Sequence, residues 1–388
     1  MNGAAVSDYF DNLLPDSDAI RKRLQAKFKS TNTSAFSLLY AVGRDCVGAV
    51  QLLPPAVMPT GFDTIETVAL NHAEVERILQ QTVAPANPML QHPEDALRLS
   101  IAGTQEKTAL TWRQKRWCRP LGATPTTHIF KLPSGLVGNR RADVRSSVEN
   151  ERLCSQILDA YGMPVARCEI AVFGQTKALV VERFDRTMAR AGTHWLRLPQ
   201  EDLCQATGTP AAQKYETDGG PGMLRIATLL ANSSNRNADI ETLLKAQIIF
   251  WMLRATDGHA KNFSLFLLSN HRYRLTPLYD VLSAWPVIGD GPDRIPAQQV
   301  RLAMAWRGKN AHYHADGVLR RHLVTTAIKC GYAEDPQHLI HKLTTQTSGV
   351  IDVVSSKLPR DFPPVLARPI FDGLLVSAQR LASREAGS

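Results

Sequence analysis

The sequence predicts an α+β chain in two lobes: a mixed α/β lobe over residues 1–185 and a mostly helical lobe over residues 186–388. Three observations lead to that division. A chain of 388 residues is longer than one hydrophobic core usually extends, so two bodies are expected. Strand-like runs alternate with amphipathic segments as far as Phe184. Beyond that point the composition turns helical, over Leu224 to Ala231, over Ile240 to Ala255, and in several stretches after Tyr313.

Residues 5–30 read as helical because Leu13, Leu14, Ile20, Leu24 and Phe28 recur at three- and four-residue spacings, with cap residues in Asp16-Ser17-Asp18. Ser34 to Val42 predicts a short helix and Gly48 to Leu52 a strand, before Pro54, Pro55, Pro59 and Gly61 break the chain into a loop. Thr67 to Thr82 reads as helix, and the polar, Pro-containing residues 83–94 as loop. Arg98 to Leu110 sits between strand-like runs and carries one Gly, several small hydroxyl residues and Lys107. Such a loop can point backbone N–H groups at phosphates, as an anion-binding nest does. It has neither of the familiar glycine-rich spacings, so an ordinary hairpin turn competes with that reading. Thr127 to Leu132 alternates as a buried strand, with Lys131 near its end. A lysine there reaches phosphates in a cleft or snorkels from an edge. Ser146 to Tyr161 predicts a helix with Val148, Leu153, Ile157 and Leu158 on its apolar side; either Glu149 or Glu151 would hold Lys131. Pro164 to Val172 and Ala178 to Phe184 read as strands, and residues 207–222, rich in Gly, Pro and Thr, as a loop.

The most informative stretch runs from Leu253 to Leu265. An apolar helix, Ala246 to Leu253, leads in; an apolar strand, Phe263 to Leu268, leads out; and Arg272 to Leu275 returns towards Tyr279-Asp280-Val281. Between them stand Asp257 and, after four spacer residues, Asn262. In phosphotransferase chemistry an Asp at this spacing orients the attacking hydroxyl and accepts its proton, while the Asn oxygen and a following Asp hold magnesium against the phosphates. Taken alone, the spacing also fits a turn Asp and a capping Asn.

Composition bounds the rest. No apolar run approaches the roughly 18 residues of a membrane span, and Met1-Asn2-Gly3-Ala4 does not begin a signal peptide. The six cysteines are scattered without a C-x-x-C pair, which points to a reducing cytoplasm rather than a disulfide framework or a zinc site. The net charge of +9 is compatible with nucleic acid or an acidic partner, but no long Lys/Arg run concentrates it.

Six ordered segments resemble the HipA-type serine/threonine kinases, the toxins of bacterial toxin–antitoxin pairs. They are Ser100 to Leu110, Pro125 to Pro133, Val181 to Arg186, Tyr215 to Gly222, Ala255 to Ser264 and Leu275 to Asp280. The resemblance implies a two-lobed protein-kinase-like fold with ATP and Mg²⁺ between the lobes. It implies Asp257 as catalytic base, Asn262 and Asp280 as magnesium ligands, and Lys131 on the phosphates. Ile101, Glu182, Phe184, His259 and Tyr279 would surround the nucleotide, with backbone groups near Glu182 and Phe184 on the adenine. Ser100 matches the site of inactivating autophosphorylation. Val281-Leu282 stands where ordinary protein kinases have Phe-Gly, and Lys261 directly precedes Asn262; both features follow the HipA pattern.

The resemblance further implies phosphorylation of an aminoacyl-tRNA synthetase, such as glutamyl-tRNA synthetase, with growth arrest and persistence as the outcome. It implies restraint by a HipB-like helix-turn-helix antitoxin bound to operator DNA, where the pair represses its own operon, and no membrane partner. A small-molecule kinase of the aminoglycoside or choline type and a catalytically dead co-repressor are the alternatives. Full-length members carry a β-rich subdomain ahead of the segment matching Tyr9 to Asp16, so the expectation is either a small separate protein that supplies it, as a further partner, or a truncated start.

Overall fold

The structure, a computed structural model, describes residues 3–55, 57–58, 61–84, 100–137, 142–291 and 293–383. Most of the loop expected over residues 83–94 lies outside them. The chain divides into one unit of Met1–Pro133 with Arg167–Ala212, and a second of Ser134–Ala166 with Gln213–Ser388. This differs from a single boundary after residue 185, because the stretch 134–166 joins the second unit and the chain up to Ala212 stays with the first.

The first unit opens with helices α1 (Ala4–Asp11), α2 (Asp18–Phe28) and α3 (Ala35–Val42). Residues 5–30, read as helical with cap residues in Asp16-Ser17-Asp18, are thus two helices. The turn between them is held by Asn12, whose side-chain amide donates to the carbonyls of Asp8 and Thr209 at 2.9 Å each, and by the Ser17 cap of α2. Leu13, Leu14, Leu38, Leu39, Val42 and Cys46 form its core. Residues 48–52, expected as a strand, are irregular. Gly48 lies at φ +73°, and a Cβ on it would meet the Gln200 carbonyl oxygen at 2.7 Å, so the chain turns there instead of extending.

The strand β1 (Thr67–Ala69) takes up the start of the expected helix, and α4 (His72–Val83) begins only after Asn71, which forms a capping box with Glu74. Then come β2 (Lys107–Arg113), β3 (Arg116–Pro120) and β4 (His128–Lys131). The chain next enters the second unit with β5 (Leu136–Val137), β6 (Ala142–Asp143) and α5 (Ser147–Ala160). It returns as β7 (Cys168–Phe173), β8 (Thr176–Glu182), β9 (Arg186–Met188), β10 (Trp195–Arg197), β11 (Gln200–Asp202) and α6 (Leu203–Ala206). Six strands make an antiparallel sheet in the order β1-β3-β2-β4-β8-β7. Helix α4 covers one face through Val75 and Leu79, which pack with Leu110, Phe130, Leu132, Phe173 and Val180.

The second unit is built on α8 (Arg236–Leu253), preceded by α7 (Met223–Leu230). From Ala246 to Leu253 every residue of α8 is buried, so the C-terminal half of the helix is enclosed on all sides and serves as the central rod of the unit. It is followed by β12 (Ser264–Leu267) and β13 (Tyr273–Leu275), an antiparallel hairpin, and by the hairpin β14 (Arg301–Arg307) and β15 (Ala311–His314). The second hairpin falls where the sequence predicted no strands. Helices α9 (Arg320–Lys329), α10 (Pro336–Lys357) and α11 (Pro364–Ala382) close the chain. Tyr161, just after α5, joins α10 by a 2.7 Å hydrogen bond between its hydroxyl and that of Thr347.

Candidate active site

Helix α8 ends in a Schellman turn. The N–H groups of Arg254 and Ala255 return to the carbonyls of Trp251 and Phe250, and Arg254 takes the left-handed conformation, φ 53°. The strain of a non-glycine residue there is offset by its side chain. The guanidinium lies 5.0 Å from the ring centres of Trp251 and Trp285 and donates to Asp316 at 2.8 Å. Gly258 follows, with Phe250 so close that a Cβ would stand 2.6 Å from its ring. This close approach sets where the loop leaves the helix.

Asp257 is therefore presented from a fixed turn. Its side chain is 51% exposed, whereas His259, Lys261 and Asn262 are buried. The Asn262 amide donates to the Asp257 carbonyl at 2.7 Å and to the Asp280 carbonyl at 3.2 Å. One side chain thus draws together the two segments, and its NH₂ group is spent on backbone, so the carboxamide oxygen is the atom it could offer a metal. Asp280 sits in the left-handed region at φ 61°, a cost of about 1–2 kcal/mol accepted where a carboxylate must be aimed. An Asn oxygen and an Asp carboxylate are hard donors, the kind from which Mg²⁺ is held when phosphates complete its shell.

Tyr279 and His259 surround this turn. The Tyr279 hydroxyl donates to the Lys261 carbonyl at 2.9 Å and lies 2.5 Å from the Ser264 hydroxyl, so it braces the loop. His259 Nε2 is 3.5 Å from Asp257 Oδ1, and its ring meets Tyr215 edge-on at 5.0 Å. Tyr215 donates its hydroxyl to Asp257 Oδ1. Tyr215 falls within a segment that resembles the family, but its partner is 42 residues away, and no local spacing reveals that.

In the first unit, Ser100 is wholly buried, its hydroxyl donating to the Leu13 carbonyl at 2.7 Å and its N–H to the Asp45 carbonyl at 3.2 Å. Ile101 is buried beside it in sequence. Lys107 folds back on the same loop, its ammonium donating to the Ala102 carbonyl at 2.6 Å. Lys131 is buried in β4, opposite Leu179 in β8. Glu182 stands three positions along that ladder, opposite His128; it is exposed, and its N–H is given to the Arg167 carbonyl at 2.8 Å. Phe184 is half-buried.

The residues flanking Phe184 have a different task. Arg183 and Arg186 are buried with Asp45 and Asp185. Arg183 reaches Asp185 at 2.8 Å and Asp45 at 3.3 Å; Arg186 reaches Asp185 at 2.8 Å and Asp45 at 3.0 Å; Arg197 joins Asp45 at 3.2 Å. Burial alone would raise the Asp45 and Asp185 carboxyls, but the guanidiniums outweigh it and hold both well below the usual carboxylate range. Gly48 N–H donates to Asp185 at 2.7 Å. The cluster ties the chain after α3 to the end of β8.

Comparison with known proteins agrees with the geometry. Residues 99–351 match the HipA-like C-terminal domain, and residues 1–53 the HipA N-terminal domain. A putative kinase of Sinorhizobium fredii is 34% identical over 313 residues, 80% of this chain and 70% of that protein. The serine/threonine-protein kinase toxin HipA of Shewanella oneidensis is 28% identical over 289 residues, 72% of this chain and 63% of that one. Among solved structures, the Shewanella oneidensis HipA, HipB and operator DNA complex superimposes with a TM-score of 0.76 at 24% identity, over 98% of this chain and 86% of that one, a likeness of fold.

Proposed function

This chain belongs to the HipA family of kinases, and from that premise we propose that it is a toxin that transfers the ATP γ-phosphoryl group to a serine or threonine of a target protein. One observation supports the reading: the Asn262 amide bonds the Asp257 and Asp280 carbonyls and so ties the segments of the expected base and the expected metal ligands together. Asp257 would orient the acceptor hydroxyl and take its proton on a carboxylate oxygen. The Asn262 oxygen and the Asp280 carboxylate would hold Mg²⁺, which neutralises phosphate charge when bound. His259 and Tyr279, with Ile101, Lys131, Glu182 and Phe184 of the first unit, would contact the nucleotide.

The target would be an aminoacyl-tRNA synthetase, such as glutamyl-tRNA synthetase, and the restraint a HipB-like antitoxin on operator DNA with which the chain represses its operon. The name of the Shewanella complex, with HipB and operator DNA, supports this partner class. Radiolabel transfer from Mg-ATP to protein is the test. The wild-type chain should label the synthetase, and Asp257→Asn should lose about 10²–10⁴ in rate. Equal labelling by the two would sink the reading.

Ser100 is proposed as the site of self-inactivation. Its hydroxyl is sealed against Leu13, so the segment must swing out before it can accept phosphate. A phosphate of about −1.5 to −2 charge cannot return beside a carbonyl oxygen in a buried site. The modified loop would therefore stay displaced. Mass spectrometry after incubation with Mg-ATP should find phosphate on Ser100 in the wild type and none in Asp257→Asn; phosphate only at other positions would refute this switch.

A further inference from the structure

We propose that Tyr215 is the positioning residue for the Asp257 carboxylate: its hydroxyl holds Oδ1 and so presents Oδ2 to the acceptor. The inference rests on the kinase reading and names a part of that machinery lying outside the catalytic loop. An Asp side chain 51% exposed has several rotamers open to it, and only one aims at a substrate. Fixing that rotamer in advance removes an ordering cost from the reaction step. Two groups meet Oδ1, the Tyr215 hydroxyl and His259 Nε2, the latter at 3.5 Å. A neutral phenol donates a hydrogen bond to the carboxylate without competing for the proton that the carboxylate must take.

Tyr215 can do this because it is itself immobilised. Its carbonyl accepts from Gly220 at 2.9 Å and from Asp218 at 3.1 Å. The preceding carbonyl, of Lys214, accepts from Ala260 at 3.3 Å, which ties this segment to the catalytic loop. The following residue, Glu216, accepts from the Ala305 N–H at 2.6 Å and pairs with Arg307 on β14. The two nearby glycines are needed for closeness: a Cβ on Gly220 would stand 2.0 Å from the Gln213 carbonyl oxygen, and one on Gly222 2.1 Å from the Glu216 carboxyl carbon. The Tyr215 ring rests edge-on against His259 at 5.0 Å. The loop is thus a rigid bracket between β14 and the catalytic turn, with the phenol at its tip.

The test is Tyr215→Phe, which keeps the ring and its contact with His259 and removes only the hydroxyl. Phosphoryl transfer from Mg-ATP to dephosphorylated casein is followed alongside ATP binding by calorimetry, thermal melting, and the Asp257 carboxyl resonance in ¹³C-aspartate-labelled protein. We expect kcat to fall about ten- to a hundredfold, as for a lost hydrogen bond to a charged group. KM for ATP, ATP affinity and melting temperature should stay at wild-type values, and the Asp257 resonance should shift. A merely structural role would lower the melting temperature and leave the resonance of the folded fraction in place. An unchanged kcat in Tyr215→Phe beside an active wild type would overturn the inference, as would phosphate appearing on Tyr215, which would make it an acceptor. A wild-type chain that transfers no phosphate to casein or to itself would instead overturn the kinase reading, whatever the resonance does.

Discussion

Ser100 shows how a single side chain can conflict with its proposed role. It is wholly buried and hydrogen-bonded to Leu13, as a structural serine would be. Ser100→Ala should cost about 1–2 kcal/mol, because it orphans the Leu13 carbonyl. Ser100→Asp should cost more, since a carboxylate would face that carbonyl with no donor to offer. Urea midpoints compared among the three proteins check this order. If the aspartate variant were as stable as wild type, the segment would not be held inside, and the release step proposed for phosphorylation would be unnecessary.

Among elements, α8 matters most, because its C-terminus places the catalytic turn. Helix α11 supports that end from outside the site. Gly373 of α11 packs against Trp285, where a Cβ would come within 2.2 Å of the indole, and Trp285 is one of the two rings enclosing Arg254. Trp285 also donates its indole N–H to the Met252 carbonyl at 2.8 Å, in the last turn of α8. Gly373→Ala should therefore force the indole away, cost about 1–3 kcal/mol as overpacking does, and lower kcat although it lies on a different helix. A shift in the denaturation midpoint together with reduced transfer is the expected result; full activity at reduced stability would show that the Arg254 turn stands without Trp285.

At the scale of the whole molecule, each unit is made from two separate stretches of chain, so long-range pairing must close it. In the first unit that closure is the buried Asp45–Arg183–Asp185–Arg186 cluster, which joins residues 138 apart in sequence. Both carboxyls are held below their ordinary values, so their contribution to stability is complete above about pH 4, the unfolded value, and is lost as pH falls towards the folded one. Thermal melts from pH 7 downwards should show the first unit destabilised progressively below about pH 4. Asp45→Asn should cost about 3–5 kcal/mol at neutral pH, since it leaves buried guanidiniums short of charge, and should flatten the acid dependence. An acid limb identical in the variant would assign the effect to other carboxylates.

The candidate catalytic segment stood out because its spacing is local. Asp257 and Asn262 are five residues apart, on a loop bracketed by an apolar helix and strand, and the fold brings Asp280 to the same turn by a short hairpin. Most helices and the β7–β8 pair were legible too, through periodicity, with ends displaced by a few residues. The strand expected at 48–52 failed because Gly48 answers to a partner far along the chain, Gln200. Likewise the arginines around Phe184 stand in a segment expected beside the adenine, and only the fold shows them neutralising Asp45. Tyr215 stood in a matched segment with no visible purpose until Asp257 was placed beside it. Sequence by itself determined the family, the fold class and most of the helices, because backbone preference and motif spacing act over a few residues. Only the tertiary structure decided which groups are buried, paired and aimed, because desolvation and hydrogen bonding depend on neighbours that the order of residues does not name.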